Sequence, residues 1–224
     1  MTEPSQPVAS AVIVAAGGAR RMGFDKLLAN LAGEPVLLRT VRAFAACAGV
    51  GEIIVVTDEC RAQVVRSAGV PKMSRIVPGG AERHLSVWNG LQECRGELIA
   101  VHDGARPLVS PDMISRCLEA AARHGAAALA RRVTETLKRA DSSGCVTGSV
   151  DREHLWAMET PQAFQREILL GAYRSVMERA EVVTDEVSAV QAAGHPVFLV
   201  ENAQPNLKIT FPADLCAAER LLAL

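Results

Sequence analysis

Ala11-Val12-Ile13-Val14-Ala15-Ala16-Gly17-Gly18-Ala19-Arg20-Arg21-Met22-Gly23-Phe24-Asp25-Lys26 is the stretch from which the fold can be read. Its opening run of small and branched apolar residues is too short to span a membrane. It suits a strand buried on both faces of a parallel sheet. The run then breaks into glycines, two arginines and a lysine, at the strand end where open α/β sheets place their ligands. Three cations on a glycine-rich loop call for a dense anion, and a nucleoside triphosphate is the obvious candidate. The loop is not GxxxxGK[ST], because no Ser or Thr follows Lys26, and it is not GxGxxG. It is read as a nucleotide loop of another kind, with charge supplied by side chains.

Outward from this segment, strand-like runs alternate with amphipathic ones, the signature of repeated βαβ units. Val36, Leu37, Val41, Phe44 and Ala45 give helical spacing that ends near Gly49. Glu52 to Thr57 reads as strand, 59–68 as helix, Arg75 to Val77 as strand, 82–94 as helix and Leu98 to Val101 as strand. Ser110-Pro111-Asp112 reads as a helix start, a capping serine followed by proline at the first helical position. Ala126 to Ala130 is a further strand. Residues 132–157 are polar and turn at Asp141-Ser142-Ser143-Gly144, which predicts a hairpin leaving the sheet. Such an arm has little of its own domain to bury against and is expected to pack on a partner chain. Helices near 165–180 and 184–193, strands near 196–200 and 207–210, and a helix opened by Pro212 complete the pattern.

At 224 residues the chain fits one large domain, or one domain with an excursion, and 49% apolar residues suffice for a core. Aromatics at 4% leave no base-stacking surface, and a net charge of −1 gives little support to a nucleic-acid or membrane-surface role. The six cysteines (47, 60, 94, 117, 145 and 216) form no CxxC or other zinc spacing. Reduced thiols in a cytoplasmic protein are expected. Met1 to Pro7 lacks the regions of a signal peptide, and residues 1–9 are expected to be a disordered lead-in to one domain over 10–224.

Four further segments follow the first. In Gly79-Gly80-Ala81-Glu82-Arg83-His84-Leu85-Ser86 the bland reading is a tight turn and a solvated helix face. The functional reading is recognition of a base by loop amides and Ser86, with Arg83, Ser86 and Gly90 on one helix face, away from Val87 and Leu91. In His102-Asp103-Gly104-Ala105-Arg106-Pro107 an intraloop ion pair competes with a role for Asp103 on magnesium and for Arg106 on a second anion. His102 is read as a structural hydrogen-bonding group rather than a base. Thr184-Asp185-Glu186 reads as a helix N-cap with acidic first-turn residues. Lys208, in Asn206-Leu207-Lys208-Ile209-Thr210, reads as the exposed face of a strand.

AAGGARRMGFDK, GGAERHLSVWNGL, HDGARP, the VTETLKR arm, DR…W, ETPQAF, TDE and NLKIT together resemble one family, over essentially residues 10 to 222 and in order. It is the 2-C-methyl-D-erythritol 4-phosphate cytidylyltransferases of the non-mevalonate isoprenoid pathway. The resemblance implies an α/β fold, a Rossmann-like mostly parallel sheet flanked by helices, with a protruding β-hairpin dimerisation arm at 132–157. It implies transfer of CMP from CTP to 2-C-methyl-D-erythritol 4-phosphate, with a divalent cation (Mg2+) as cofactor and a homodimer as the working unit. Carried over by position, Ala15, Ala16, Gly17, Gly18, Ala19 and Lys26 would wrap the triphosphate, and Arg21 and Lys26 match the transition-state stabilisers. Gly79, Gly80, Ala81 and Ser86 correspond to cytosine and ribose contacts, while Asp103 and Gly104 lie where nucleotide and magnesium sit. Asp103, Arg106 and Thr160 match sugar-phosphate contacts. Thr136 and Arg152 match residues that the arm offers to the partner's substrate, and Arg152 and Lys208 the pair that positions it. The chain departs from the family pattern at Ala19, at Asp25 (proline in many relatives), at Ala81 and at Leu85.

The rivals are a cytidylyltransferase for another polyol phosphate such as ribitol 5-phosphate, and a molybdenum-cofactor nucleotidylyltransferase. From other classes come a Rossmann oxidoreductase, for which Asp58 would be the ribose-binding acid, and a non-catalytic sugar-nucleotide sensor.

Overall fold

A computed structural model of the chain describes residues 8–17 and 23–223. The readings at Gly18, Ala19, Arg20 and Arg21 lie outside the described residues. The elements run β1 (Ala9–Val14), β2 (Asn30–Leu31), β3 (Glu34–Pro35), α1 (Val36–Ala46), β4 (Val50–Thr57), α2 (Glu59–Ser67), β5 (Met73–Pro78), α3 (Arg83–Leu91) and β6 (Leu98–Asp103). There follow α4 (Pro111–His124), β7 (Ala126–Arg132), β8 (Leu137–Ala140), β9 (Val146–Val150), β10 (Trp156–Gln165), α5 (Arg166–Arg179), α6 (Glu186–Ala192), β11 (Phe198–Glu201) and α7 (Pro212–Leu222).

Seven strands form one sheet in the order β11-β7-β10-β6-β1-β4-β5. β1 lies in its interior, paired in parallel with β4 and β6. Ala11 and Ile13 point into one core with Leu37, Phe44 and Ile114, while Val12 points into the other with Leu91, Val101 and Tyr173. Alternate residues of the strand thus bury on opposite faces, which is why the segment is apolar throughout. The chain runs from β1 to β4 on one side and later to β6 on the other, so the order reverses between β1 and β6. A crevice opens at the carboxyl ends of such neighbouring strands.

The structure corrects four expectations. β10 is a ten-residue strand, antiparallel to both β6 and β7, where the sequence pattern predicts only arm and then helix. Pro161 and the polar Glu159, Thr160 and Gln162 disguise it, because its side chains serve a buried polar cluster rather than an apolar face. No strand forms at 207–210; that segment is tied instead to the loop after β6 by Ile209 N–H donating to the Ala105 carbonyl at 2.8 Å. The expected lead-in over 1–9 is too long, since Ala9 already pairs with Val50 and Leu98. Gly90 faces the sheet rather than a ligand.

The arm is present: β8 and β9 pair antiparallel as a separate two-stranded sheet. Its turn is built by Asp141 Oδ1, which accepts from Ser143 N–H at 2.9 Å and Cys145 N–H at 3.0 Å. Its base is closed where Arg132 pairs with Trp156, the guanidinium lying 4.6 Å from the indole centroid. All six cysteines are free thiols, and Cys47 and Cys94 are buried as the apolar pattern predicts.

Helix α3 approaches β1 and β4 through Gly90, where an added Cβ would lie 2.6 Å from Val12 Cγ1 and 2.9 Å from Val56 Cγ2. In an open helix Gly→Ala would gain helix propensity; here overpacking dominates. Gly90→Ala is expected to destabilise the protein by about 1–3 kcal/mol, measured by chemical denaturation. An unchanged or raised stability would contradict this packing.

Candidate active site

The crevice between β1 and β6 is a cleft of about 290 Å3. Ala15, Ala16, Gly17 and Lys26 line one wall, Gly80, Ala81, Arg83 and Ser86 another, and Asp103 and Lys208 its floor. Gly79 packs behind it so closely that any Cβ there would collide with that of Ala16. Ser86 shapes the second loop from within: its Oγ accepts from Gly80 N–H at 3.0 Å and donates to the Glu82 carbonyl at 3.1 Å. Four loops far apart in sequence therefore meet at one opening.

Asp103 is the charge centre of the floor. Its side chain is only 12% exposed, and an unpaired carboxylate there would cost several kcal/mol. Cations from three elements compensate it. Lys208 Nζ donates to Oδ2 at 2.7 Å, Arg83 Nη2 reaches Oδ1 at 3.3 Å, and Arg106 Nε stands 3.7 Å from Oδ2. Burial alone would raise the pKa of this carboxyl. The Arg83 and Lys208 charges overcome that effect and hold it well below the usual carboxylate range.

Two of these cations are themselves held. Arg83 makes a two-pronged contact with Glu186, Nη1 to Oε1 at 2.6 Å and Nη2 to Oε2 at 3.1 Å, and Tyr173 donates its hydroxyl to Glu186 Oε1 at 3.0 Å. Glu186 is fully buried. Arg106 Nη1 donates to the Asn206 carbonyl at 2.8 Å, and Asn206 Nδ2 donates to Glu159 Oε2 and to the Thr160 carbonyl. That places Lys208, two residues on, over Asp103. Lys26 Nζ donates to the Ile209 carbonyl at 2.7 Å, so the two lysines share one corner of the cleft.

Beneath Asp103, Thr160 Oγ1 accepts from the Asp103 N–H at 3.1 Å and lies 2.9 Å from His102 Nδ1. The hydroxyl proton then goes to Nδ1, and His102 Nε2–H faces the Arg106 carbonyl at 3.3 Å. Complete burial lowers the His102 pKa to about 3. A neutral imidazole with both nitrogens engaged is a structural pillar, as expected from the sequence, and not a base. Thr160 likewise spends its hydroxyl supporting Asp103.

The structure gathers Ala15, Ala16, Gly17, Lys26, Gly80, Ala81, Ser86, Asp103 and Lys208 around the cleft, with Gly79, Gly104, Arg106 and Thr160 packed against it. Thr136 and Arg152 sit exposed on the arm, Arg152 donating to the Thr134 carbonyl, and neither lines this chain's cleft. Asp58, the acid an oxidoreductase would need, instead caps α2 and pairs with Arg61. Arg83 reads as one polar position on a helix face, and Glu186 as a first-turn acid matched to the helix dipole. Their pairing joins residues 103 positions apart, which local pattern cannot reveal. Among the described residues no three His, Cys, Asp or Glu side chains converge as a metal cage. No described helix is long and apolar enough to cross a membrane.

Residues 9–223 match the family described as 2-C-methyl-D-erythritol 4-phosphate cytidylyltransferase. A protein of that name from Cereibacter sphaeroides is 43% identical over 223 residues, covering 96% of this chain and 97% of its own length. Another from Symbiobacterium thermophilum is 42% identical over 217 residues, covering 95% and 92%. The crystal structure of the Thermus thermophilus protein of the same name superposes with a TM-score of 0.79 at 33% identity, covering 95% of this chain and 98% of that one.

Because the folded-state pKa of His102 is depressed from 6.5 to about 3, its contribution to stability is fully present above pH 6.5. It is lost as the pH falls from there towards 3, at about 1.4 kcal/mol per pH unit. His102→Gln is expected to flatten the stability profile across that window, read by urea denaturation at successive pH values. An unchanged slope would contradict a buried neutral imidazole.

Proposed function

The chain belongs to the 2-C-methyl-D-erythritol 4-phosphate cytidylyltransferase family, and on that premise we propose that it transfers CMP from CTP to 2-C-methyl-D-erythritol 4-phosphate. The products are 4-diphosphocytidyl-2-C-methyl-D-erythritol and pyrophosphate. The observation that carries this reading is the meeting of Lys26 and Lys208 beside Asp103 in a glycine-walled cleft.

The chemistry asks for charge management rather than proton transfer. A phosphomonoester has its second pKa near 6, so the acceptor is already largely a dianion at neutral pH and needs no base. The obstacle is bringing it up to a polyanionic triphosphate. Lys26, with Arg21 in the same loop, would offset that repulsion and stabilise the charge that grows as an acceptor oxygen attacks the α-phosphorus and pyrophosphate leaves. Lys208 would meet the acceptor phosphate, exchanging Asp103 for a second anion, while Arg83 keeps Asp103 in place. Ala15, Ala16, Gly17, Gly18 and Ala19 would turn backbone amides to the triphosphate. Gly79, Gly80, Ala81 and Ser86 would form the base and ribose wall, with Gly104 beside the nucleotide.

A divalent cation fits this donor set. Magnesium typically takes one or two carboxylates and completes its shell with substrate phosphates and water, and Asp103 is the carboxylate on the cleft floor. When bound, the ion would supply further charge neutralisation across the phosphates.

Residues 9–224 are read as one nucleotidylyltransferase domain whose arm, 132–157, pairs with a second copy in a homodimer. The arm's exposure supports this, Val146 being 62% exposed. Thr136 and Arg152 would then serve the acceptor in the partner's cleft, alongside Arg106 of the chain that owns it, while Thr160, its hydroxyl already spent, would act through Asp103. A cytoplasmic location accords with free thiols and with substrates of this kind.

Purified protein given CTP, magnesium and a panel of polyol phosphates should release pyrophosphate with methylerythritol phosphate far ahead of the others. Lys26→Ala and Lys208→Ala should fold normally and lose on the order of 10²-fold or more in kcat. Turnover near the wild-type level in both variants would sink the assignment.

A further inference from the structure

Arg61 enters none of the roles described so far, yet its side chain is only 5% exposed. It stands in the first turn of α2 and reaches back to Ala15 and Asp25. Nη1 donates to the Ala15 carbonyl at 2.6 Å and lies 3.0 Å from Asp58 Oδ2, while Nε donates to Asp25 Oδ2 at 2.8 Å. One guanidinium therefore grips both ends of the span that leaves β1 at Ala15 and returns at Asp25.

Both grips have consequences in the cleft. Thr57 Oγ1 also donates to the Ala15 carbonyl, at 3.2 Å, so that oxygen's direction is fixed twice. Across a trans peptide the next N–H points the opposite way, which fixes the direction of Ala16 N–H on the cleft wall. At the other end, the second carboxylate oxygen of Asp25 accepts from Leu27 N–H at 3.0 Å, and Leu28 N–H donates to the Asp25 carbonyl at 3.2 Å. This is a side-chain-braced turn with Lys26 at its centre. The fork geometry matters, because an ammonium group presents a point charge and cannot span a carbonyl and a carboxylate in fixed directions.

We propose that Arg61 is a positioning residue for the nucleotide: by clasping Ala15 and Asp25 it presets the Ala16 amide and the turn carrying Lys26 before the triphosphate arrives. The proposal deepens the cytidylyltransferase reading and rests on it for the identity of the ligand. The clasp itself does not depend on that reading.

The test uses the full-length protein and the variants Arg61→Met, Arg61→Lys and Asp25→Asn. Amide hydrogen exchange without nucleotide reports the clasp directly, and Leu27 and Leu28 should exchange faster in all three variants. In steady-state assays the KM for CTP should rise about tenfold or more, the size expected when a charge-assisted hydrogen bond is lost. The KM for methylerythritol phosphate should stay unchanged. A merely structural role would lower the active fraction, and so kcat, without moving the KM for CTP alone. Should Arg61→Met fold poorly, Arg61→Lys and Asp25→Asn still decide the matter. Wild-type exchange at Leu27 and Leu28, or a wild-type KM for CTP in folded variants, overturns the proposal. Wild-type protein that transfers no CMP would instead overturn the cytidylyltransferase reading, and the exchange data would still judge the clasp.

Discussion

A buried carboxylate must be paired, and most of this site can be understood as the pairing of Asp103. Its two oxygens draw in Arg83 from α3, Lys208 from the segment before α7, and Arg106 from the loop after β6. Each of these cations is costly to hold so close to the others. Two are steadied by a further anion or carbonyl: Glu186 for Arg83, the Asn206 carbonyl for Arg106. The result is a cluster of positive charge on a cleft floor in a chain whose net charge is −1. Preorganised charge of this kind needs little rearrangement when an anion arrives, which is the physical basis of its catalytic value. The same arrangement divides the labour between the cations. Arg83 is locked by a buried carboxylate, whereas Lys208 is 43% exposed, as the proposed exchange of Asp103 for a substrate phosphate requires.

The fold supplies the geometry cheaply. β1 and β6 lie side by side at the point where strand order reverses, so Ala15–Gly17 and Asp103 leave the sheet as neighbours. α3 is drawn against the sheet by Gly90, which brings Arg83 and Ser86 to the opposite wall. The antiparallel β10 carries Glu159 and Thr160 under the floor, where they hold Asn206 and His102. A strand that looks poor by its polar content is thus the foundation of the site.

Much of this is legible in the chain. Val12, Ile54 and Val101 alternate with Ile13, Ile53 and Ala100 in strands apolar on both faces, and such strands announce a parallel sheet. Glycines and cations at strand ends mark Lys26, Asp103 and their loops. Sequence pattern fails where meaning depends on a distant partner. It hides β10 because that strand's polar side chains are satisfied by Asn202, Asn206 and Asp185, none of them local. The alternation from Asn206 to Thr210 predicts a strand at Lys208, although the segment is tied to the sheet's loops rather than to a neighbouring strand. Glu186 and Arg61 resemble ordinary helix-start residues, and only the tertiary contacts separate them from that background.

The central claim is that charged groups from separate loops, assembled around Asp103, converge on a single polyanion. A crystal structure of the protein with CTP and magnesium measures this most directly. The triphosphate should lie in the β1–β6 cleft, with Lys26 Nζ within about 3 Å of a phosphate oxygen and Arg83 still on Asp103. A nucleotide bound elsewhere, with Lys26 and Lys208 both turned to bulk solvent, would contradict it.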